Sequence, residues 1–356
     1  MLLDGMHVPL VTPFYPDGRV YLRKLEHNVD RVSRTPAAGM VVLGSLGEPG
    51  SLSDDETREV LAVAAGAAAR EKVLIAGIAR EGVREALRLA DHAANCGYDA
   101  VLLRTPRAWP MQMHRAGSAE MLTFFRAVAD QSPLPVVVEN TPKLSGYDLP
   151  VETIAALAEH GNVIGLAEAS EAEGKIATVL KATAGISRGV TVTTVFAAVT
   201  GRMLQPEAAA AGGAMLVPAE TLSGGAAVAV AALAAKPALK TRVKLVGFQV
   251  LAAGAVDCFA ALRSGAAGMM PSLAACAPQA CHEVLATWKD GDAALAEEKY
   301  ARVRAAAVRM EELGLGALKF GCDLNGYFGG RPRLPLLPAS GVEQAEIATL
   351  LQEIRN

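Results

Sequence analysis

The sequence predicts an α/β protein: a (β/α)8 TIM barrel with a C-terminal helical extension and an insertion between the sixth helix and the seventh strand. Three observations carry this reading. Short β-prone runs alternate with longer helical patterns through the first half of the chain, the arrangement of a parallel sheet wound with helices. Each run is mostly apolar and so buried on both faces, and six such units in a row suit a closed barrel better than an open sheet. After the sixth unit the alternation lapses over residues 185–246 and then resumes.

Taken in order, the first six strands are expected at 7–14, 39–44, 72–78, 100–106, 135–140 and 163–169. Between the second and third, Ser53-Asp54-Asp55-Glu56 has the form of a capping box with acidic residues in the first turn. Val60, Leu61, Val63 and Ala64 follow at helical spacing. The remaining gaps read as helices too, the sixth over 171–183. Beyond it lie the β-prone stretch 190–196 and a run rich in alanine and glycine. That interval is too long for a structureless connection, so 185–246 is expected to be an inserted subdomain that packs on the barrel or across a subunit contact. A seventh strand at 248–253, a short helix at 257–263 and an eighth strand at 266–272 complete the barrel. Helices at 279–288, 292–313, 315–327 and 342–354 form the extension. The expected organisation is barrel units 1 to 6 over 1–184, the insertion over 185–246, barrel units 7 and 8 over 247–278, and the extension over 279–356.

Composition narrows the partners. The 356 residues are 51% hydrophobic and 20% charged, with a net charge of −3 and no basic patch, which argues against nucleic acid. Apolar runs such as 226–235 fall short of the roughly 20 residues that span a bilayer, so no membrane partner is expected. Asp4 and His7 stand where a secretory signal wants a basic start and an apolar run; a cytoplasmic protein is expected. Five cysteines, an odd count, favour reduced thiols. Cys276, Cys281 and His282 invite a metal reading, but their spacing fits no zinc pattern and structural thiols are the expectation. The six histidines, His114 in a candidate loop among them, form no metal-ligand spacing, and no glycine-rich phosphate loop is present. No cofactor and no metal are therefore expected.

Several segments, read in order, resemble the dihydrodipicolinate synthase and N-acetylneuraminate lyase family. They are Val11-Thr12-Pro13-Phe14 with Asp17-Gly18; Leu43-Gly44-Ser45-Leu46-Gly47-Glu48; Thr105-Pro106; residues 135–142 followed by Gly146; residues 164–170; and Leu318-Lys319. The resemblance implies a class I aldolase-type lyase or synthase, cytoplasmic and homodimeric or homotetrameric. In that family a lysine on the sixth strand condenses with the ketone of pyruvate, turning it into an electron sink. Ala167 stands at the matching position. The fifth-strand tyrosine of the family is matched by Glu139, and the tyrosine expected after Thr105-Pro106 falls at Arg107 or Ala108. Of the paired threonines, Ser45 keeps a hydroxyl while Leu46 does not. The arginine after Asn140-Thr141-Pro142 is matched by Leu144, with Lys143 beside it. Gly47 and Glu48 are retained, and Lys319 falls in the helical extension.

Glu139 shares strand parity with Val137, which puts it in the lumen at the C-terminal rim, where barrel enzymes do their chemistry. It could act as general acid or base, or it could pair with Arg107 and plug a dead site. Ser45 and the turn amides around Gly47 form a modest anion site, and with Arg107 they are the expected substrate-binding residues. Glu168, of opposite parity to Ala167, reads as structural, and Glu48 as fixing its loop. Trp109, Pro110, Met111 and Met113 could line a pocket or a subunit contact. Two functions follow. The first is a dihydrodipicolinate synthase-like lyase that handles a small carboxylated or oxo substrate by carboxylate acid/base work, without the family's Schiff base. The second is a non-catalytic binding or regulatory protein on the same scaffold.

Overall fold

In the computed structural model of the chain, the described residues are 1–107, 118–170, 172–205, 239–255, 257–352 and 354. Eight parallel strands close a barrel in the order β1 (Gly5–Pro9), β10 (Gly268–Pro271), β9 (Gln249–Gly254), β6 (Val163–Glu168), β5 (Val136–Asn140), β4 (Ala100–Arg104), β3 (Val73–Gly77) and β2 (Gly39–Val42). The seventh and eighth barrel strands are thus β9 and β10, close to their expected positions. Between them and the first six lies an antiparallel pair, β7 (Arg188–Thr193) and β8 (Thr241–Val246), in a separate two-stranded sheet.

The strands are apolar on both faces because both are covered. Alternate residues Ala100 and Leu102 of β4, Val137 of β5, Ala167 of β6 and Leu251 of β9 fill the lumen with Val41, Ile75 and Ala253. The residues between them, Val101, Leu103, Val136, Val138 and Leu166, meet the outer helices. Helix α2 (Asp54–Ala67) begins with the expected capping box: the Ser53 hydroxyl accepts from the Glu56 amide, and the Glu56 carboxylate accepts from the Ser53 amide. The extension comprises α10 (Pro278–Lys289), α11 (Ala293–Leu313), α12 (Leu315–Leu324) and α13 (Gly341–Leu350). Cys276, Cys281 and Cys322 lie in the core, where burial pushes their thiols up in pKa.

The described part of 185–246 lies at the N-terminal end of the barrel strands. Val190 and Val192 pack with Leu2, and Ala198 packs against the lumen residues. Arg188 donates to the His160 carbonyl (2.8 Å), Gly201 N donates to Asp99 Oδ1 (2.9 Å) and Arg70 Nε donates to the Arg202 carbonyl (2.7 Å). Arg202 in turn donates to the Lys72 carbonyl and lies 3.7 Å from Asp99. This end is fastened by side chains donating to backbone carbonyls that no helix satisfies. Among the described residues, no helix is long and apolar enough to cross a membrane.

Candidate functional site at the C-terminal end of the barrel

The opposite end of the barrel begins with a backbone that only small residues allow. Leu43, just past β2, has φ 59°, and its carbonyl oxygen crowds β3 so closely that a Cβ on Gly77 would lie 1.9 Å from it. Glycine at 77 lets the loop after β2 fold over the lumen. A single 3-10 turn, Ser45–Gly47, follows, held from below by the Thr12 hydroxyl donating to the Gly47 carbonyl (2.7 Å). Leu46 packs against the core, and Glu48 continues the chain in the left-handed region at φ 53°.

That strained residue is secured by its side chain. Glu48 Oε1 lies 2.5 Å from Lys319 Nζ, with Lys319 fully buried, and Glu48 Oε2 accepts from the Arg333 amide (2.8 Å). Lys319 also donates to the Arg331 carbonyl (3.1 Å) and stands over the Phe14 ring. Burial lowers its pKa, while the Glu48 carboxylate pulls the other way. Lys319 therefore joins α12 to the loop carrying Ser45, as part of the support of the site.

Across the lumen, the register aligns Arg104 of β4 with Glu139 of β5, Glu139 with Ala167 of β6, and Ala167 with Leu251 of β9. Register partners in a parallel sheet point to the same face, so one layer carries a guanidinium, a carboxylate, a methyl group and an isobutyl group in turn. Glu139 is 2% exposed, and its Oε1 accepts a hydrogen bond from the Ser45 hydroxyl. The structure thus brings together Ser45 and Glu139, with Ala167 as Glu139's neighbour.

Arg107 does not complete this set. It is exposed, its backbone amide donates to Glu81 Oε1 (3.2 Å), and among the described residues no hydrogen bond or ion pair joins its side chain to Glu139. The expected pairing fails because residue 107 lies three positions beyond the register partner of Glu139, on chain that has left the strand. The cation beside Glu139 is Arg104, which the sequence reading missed although it shares the parity of Ala100 and Leu102. It is 8% exposed, and its Nε is buried without an acceptor. Thr105 Oγ1 and Thr141 Oγ1, at the ends of the same two strands, are likewise buried and unpartnered.

The other candidates lie elsewhere. Leu144 is 40% exposed on the short helix α5 (Pro142–Ser145), and Lys143 beside it is exposed. Glu168 points outward from the barrel into a buried network. Its Oε1 accepts from Asn140 Nδ2 and from the Ser170 amide, both at 2.7 Å, and its Oε2 lies 3.5 Å from Lys175 Nζ. Lys175 also pairs with Asp148, and burial pushes the Glu168 carboxyl up in pKa against the pull of Lys175. Trp109, Pro110, Met111, Met113 and His114, with Ala108, lie outside the described residues.

With this geometry in view, the sequence matches the Dihydrodipicolinate synthetase family over residues 2–197, more than half of the chain. Among curated proteins it is 34% identical over 182 residues to 4-hydroxy-tetrahydrodipicolinate synthase of Methanosarcina barkeri, covering 51% of this chain and 60% of that one. The enzyme of the same name from Acidiphilium cryptum is 34% identical over 169 residues, covering 48% and 56%. The chain thus spans less than two thirds of the length of these relatives. Among solved structures, a dihydrodipicolinate synthase from Bacillus anthracis superposes with a TM-score of 0.77 at 19% identity, covering 100% of both chains. YagE, a prophage protein of the dihydrodipicolinic acid synthase family from E. coli K12 solved in complex with pyruvate, gives 0.75 at 21%, covering 99% of each. The barrel, its register and the matched segments agree: the chain belongs to the dihydrodipicolinate synthetase family.

Proposed function

We propose that this protein is a dihydrodipicolinate synthase-like member of its family that takes a small carboxylated or oxo ligand at the C-terminal end of the barrel and handles it without a Schiff base. One observation carries the reading: the Ser45 hydroxyl and the Glu139 carboxylate are hydrogen bonded in the lumen, next to an alanine at the position matched to the family's amine. Iminium chemistry needs a primary amine that can attack a carbonyl, and a methyl group cannot. A carboxylate coupled to a hydroxyl can instead take up and return a proton at a ligand atom, which is general acid/base work of the lyase type. YagE, solved in complex with pyruvate, supports a small carboxylic acid as the ligand class. A cytoplasmic homodimer or homotetramer, with 185–246 as an inserted subdomain, belongs to the same proposal.

A second reading is favoured by the burial of Glu139. A carboxylate 2% exposed and fastened to Ser45 is also what a closed, non-catalytic lumen would contain. Thermal unfolding with and without small oxo and carboxylic acids separates the two. The proposal expects a ligand-induced rise in melting temperature that Glu139→Ala abolishes and Ser45→Ala weakens. No rise for the parent protein, together with a loss of several kcal/mol in Glu139→Ala, supports the closed lumen.

A further inference from the structure

Among the described residues, buried cations follow a pattern with one exception. Lys72 donates to the carbonyls of Thr35 (2.8 Å) and Ala37 (2.9 Å). Lys175 meets Asp148 and Glu168, Arg202 meets the Lys72 carbonyl and Asp99, and Lys319 meets Glu48. Arg104 is just as buried, yet among the described residues it forms no hydrogen bond and no ion pair. Its neighbour in register, Glu139, accepts at Oε1 from the Ser45 hydroxyl. An unpaired guanidinium whose Nε is shut away from water is expensive, so a partner missing from the protein itself is expected to arrive from outside.

We propose that Arg104 is the anchor for a ligand carboxylate and that the ligand is a small 2-hydroxy monocarboxylate. The inference rests on the reading of the lumen as a ligand site and adds to it the chemistry of the ligand. The planar fork of arginine matches a carboxylate with two parallel N–H donations. A carboxylate seated on Arg104 places the ligand's second carbon toward β5, where Glu139 is the next side chain in the layer. A carboxylate side chain only accepts hydrogen bonds, and among the described residues Oε2 of Glu139 accepts none. A hydroxyl on carbon 2 supplies the donor that this oxygen lacks. A 2-oxo group sets one acceptor against another, and a second ligand carboxylate sets like charges side by side. The unpartnered Thr141 hydroxyl, one position beyond the end of β5, adds a further polar group at the same rim.

Titration calorimetry of the full chain at neutral pH with lactate, glycolate, pyruvate, propionate, malate and lactamide tests this. Glycolate and lactate are expected to bind, with propionate and pyruvate weaker by about tenfold or more and no detectable binding of malate or lactamide. Arg104→Leu is expected to weaken lactate binding by about a hundredfold while its melting temperature stays at or above that of the parent. If Arg104→Leu does not fold, Arg104→Gln provides the same comparison. Glu139→Gln, whose amide donates, is expected to shift the preference from lactate toward pyruvate. Equal lactate affinity in the parent and Arg104→Leu, with binding still lost in Glu139→Ala, overturns the role of Arg104 and leaves the lumen reading standing. Malate or lactamide binding as tightly as lactate overturns the ligand class. If none of the carboxylates binds the parent, the inference falls. Binding of the neutral ketone hydroxyacetone, lost in Glu139→Ala, then decides whether the lumen reading survives.

Discussion

The two ends of the barrel each bury an arginine to the same degree and treat it in opposite ways. Arg202 at the N-terminal end and Arg104 at the C-terminal end are both 8% exposed. Around Arg202, the Ala68 and Lys72 carbonyls and Asp99 converge, so its charge holds the structure closed. Around Arg104, Thr105 and Thr141 are unsatisfied as well, and the adjacent carboxylate is bonded elsewhere. The difference follows from barrel geometry. Loops that return to the N-terminal end contribute to stability, whereas the ends of strands at the C-terminal face hold side chains in place without being required to bond one another. A guanidinium without a partner among the described residues at one end, and at the other a guanidinium that bonds two carbonyls beside Asp99 with only its Nε left over, is the pattern of a scaffold with a working face.

The largest effect expected from this contrast is on stability. Arg202→Leu removes a partner from the Lys72 and Ala68 carbonyls and from buried Asp99, and is expected to cost about 3–5 kcal/mol in urea unfolding. Arg104→Leu is expected to change stability by less than about 1 kcal/mol, or to raise it, because it removes a charge that had no partner. Equal losses in the two variants would erase the distinction between the ends.

Acid unfolding sharpens it. His7, fully buried in β1 with Nε2 3.0 Å from the Leu3 carbonyl oxygen, has its pKa lowered by burial to about 4. Its folded value lies below its unfolded value, so this contribution is present above about pH 6.5 and is lost as pH falls toward 4. It amounts to about 3 kcal/mol. Glu56 is pulled down to about 2 by the Arg333 guanidinium, so the clasp it forms beside the C-terminal rim persists at pH 4.5 and is lost only as pH falls from there toward 2. Melting temperature against pH is expected to show two acid limbs. His7→Gln should flatten the upper limb and Glu56→Gln the lower one. The smallest effect belongs to the cap of α2: Ser53→Ala is expected to cost about 1 kcal/mol without altering ligand binding.

Much of this frame was legible in the chain before any coordinates. Period-two alternation placed Glu139 in the lumen from Val137, and the same alternation turned Glu168 outward. The capping box at Ser53 and the helices of the extension followed from local chemistry that tertiary contacts leave intact. Arg104 was missed although the identical count along Ala100 and Leu102 reaches it. An arginine at the end of an apolar run reads as the point where the chain meets solvent, and only the register with Glu139 shows that the strand is still buried there. Arg107 was favoured because it follows Thr105-Pro106 in the resemblance; loop geometry, which no spacing encodes, carried it away. The partners of Lys319 and Arg202 lie 271 and 103 residues away along the chain, at Glu48 and Asp99, and such pairs form only once the barrel closes.

The most direct test of the account is whether the lumen contains a reactive amine. The protein is incubated with pyruvate, reduced with borohydride and weighed intact. With Ala167 beside Glu139 the account predicts an unchanged mass. A stoichiometric adduct mapping to a lysine inside the barrel would contradict it.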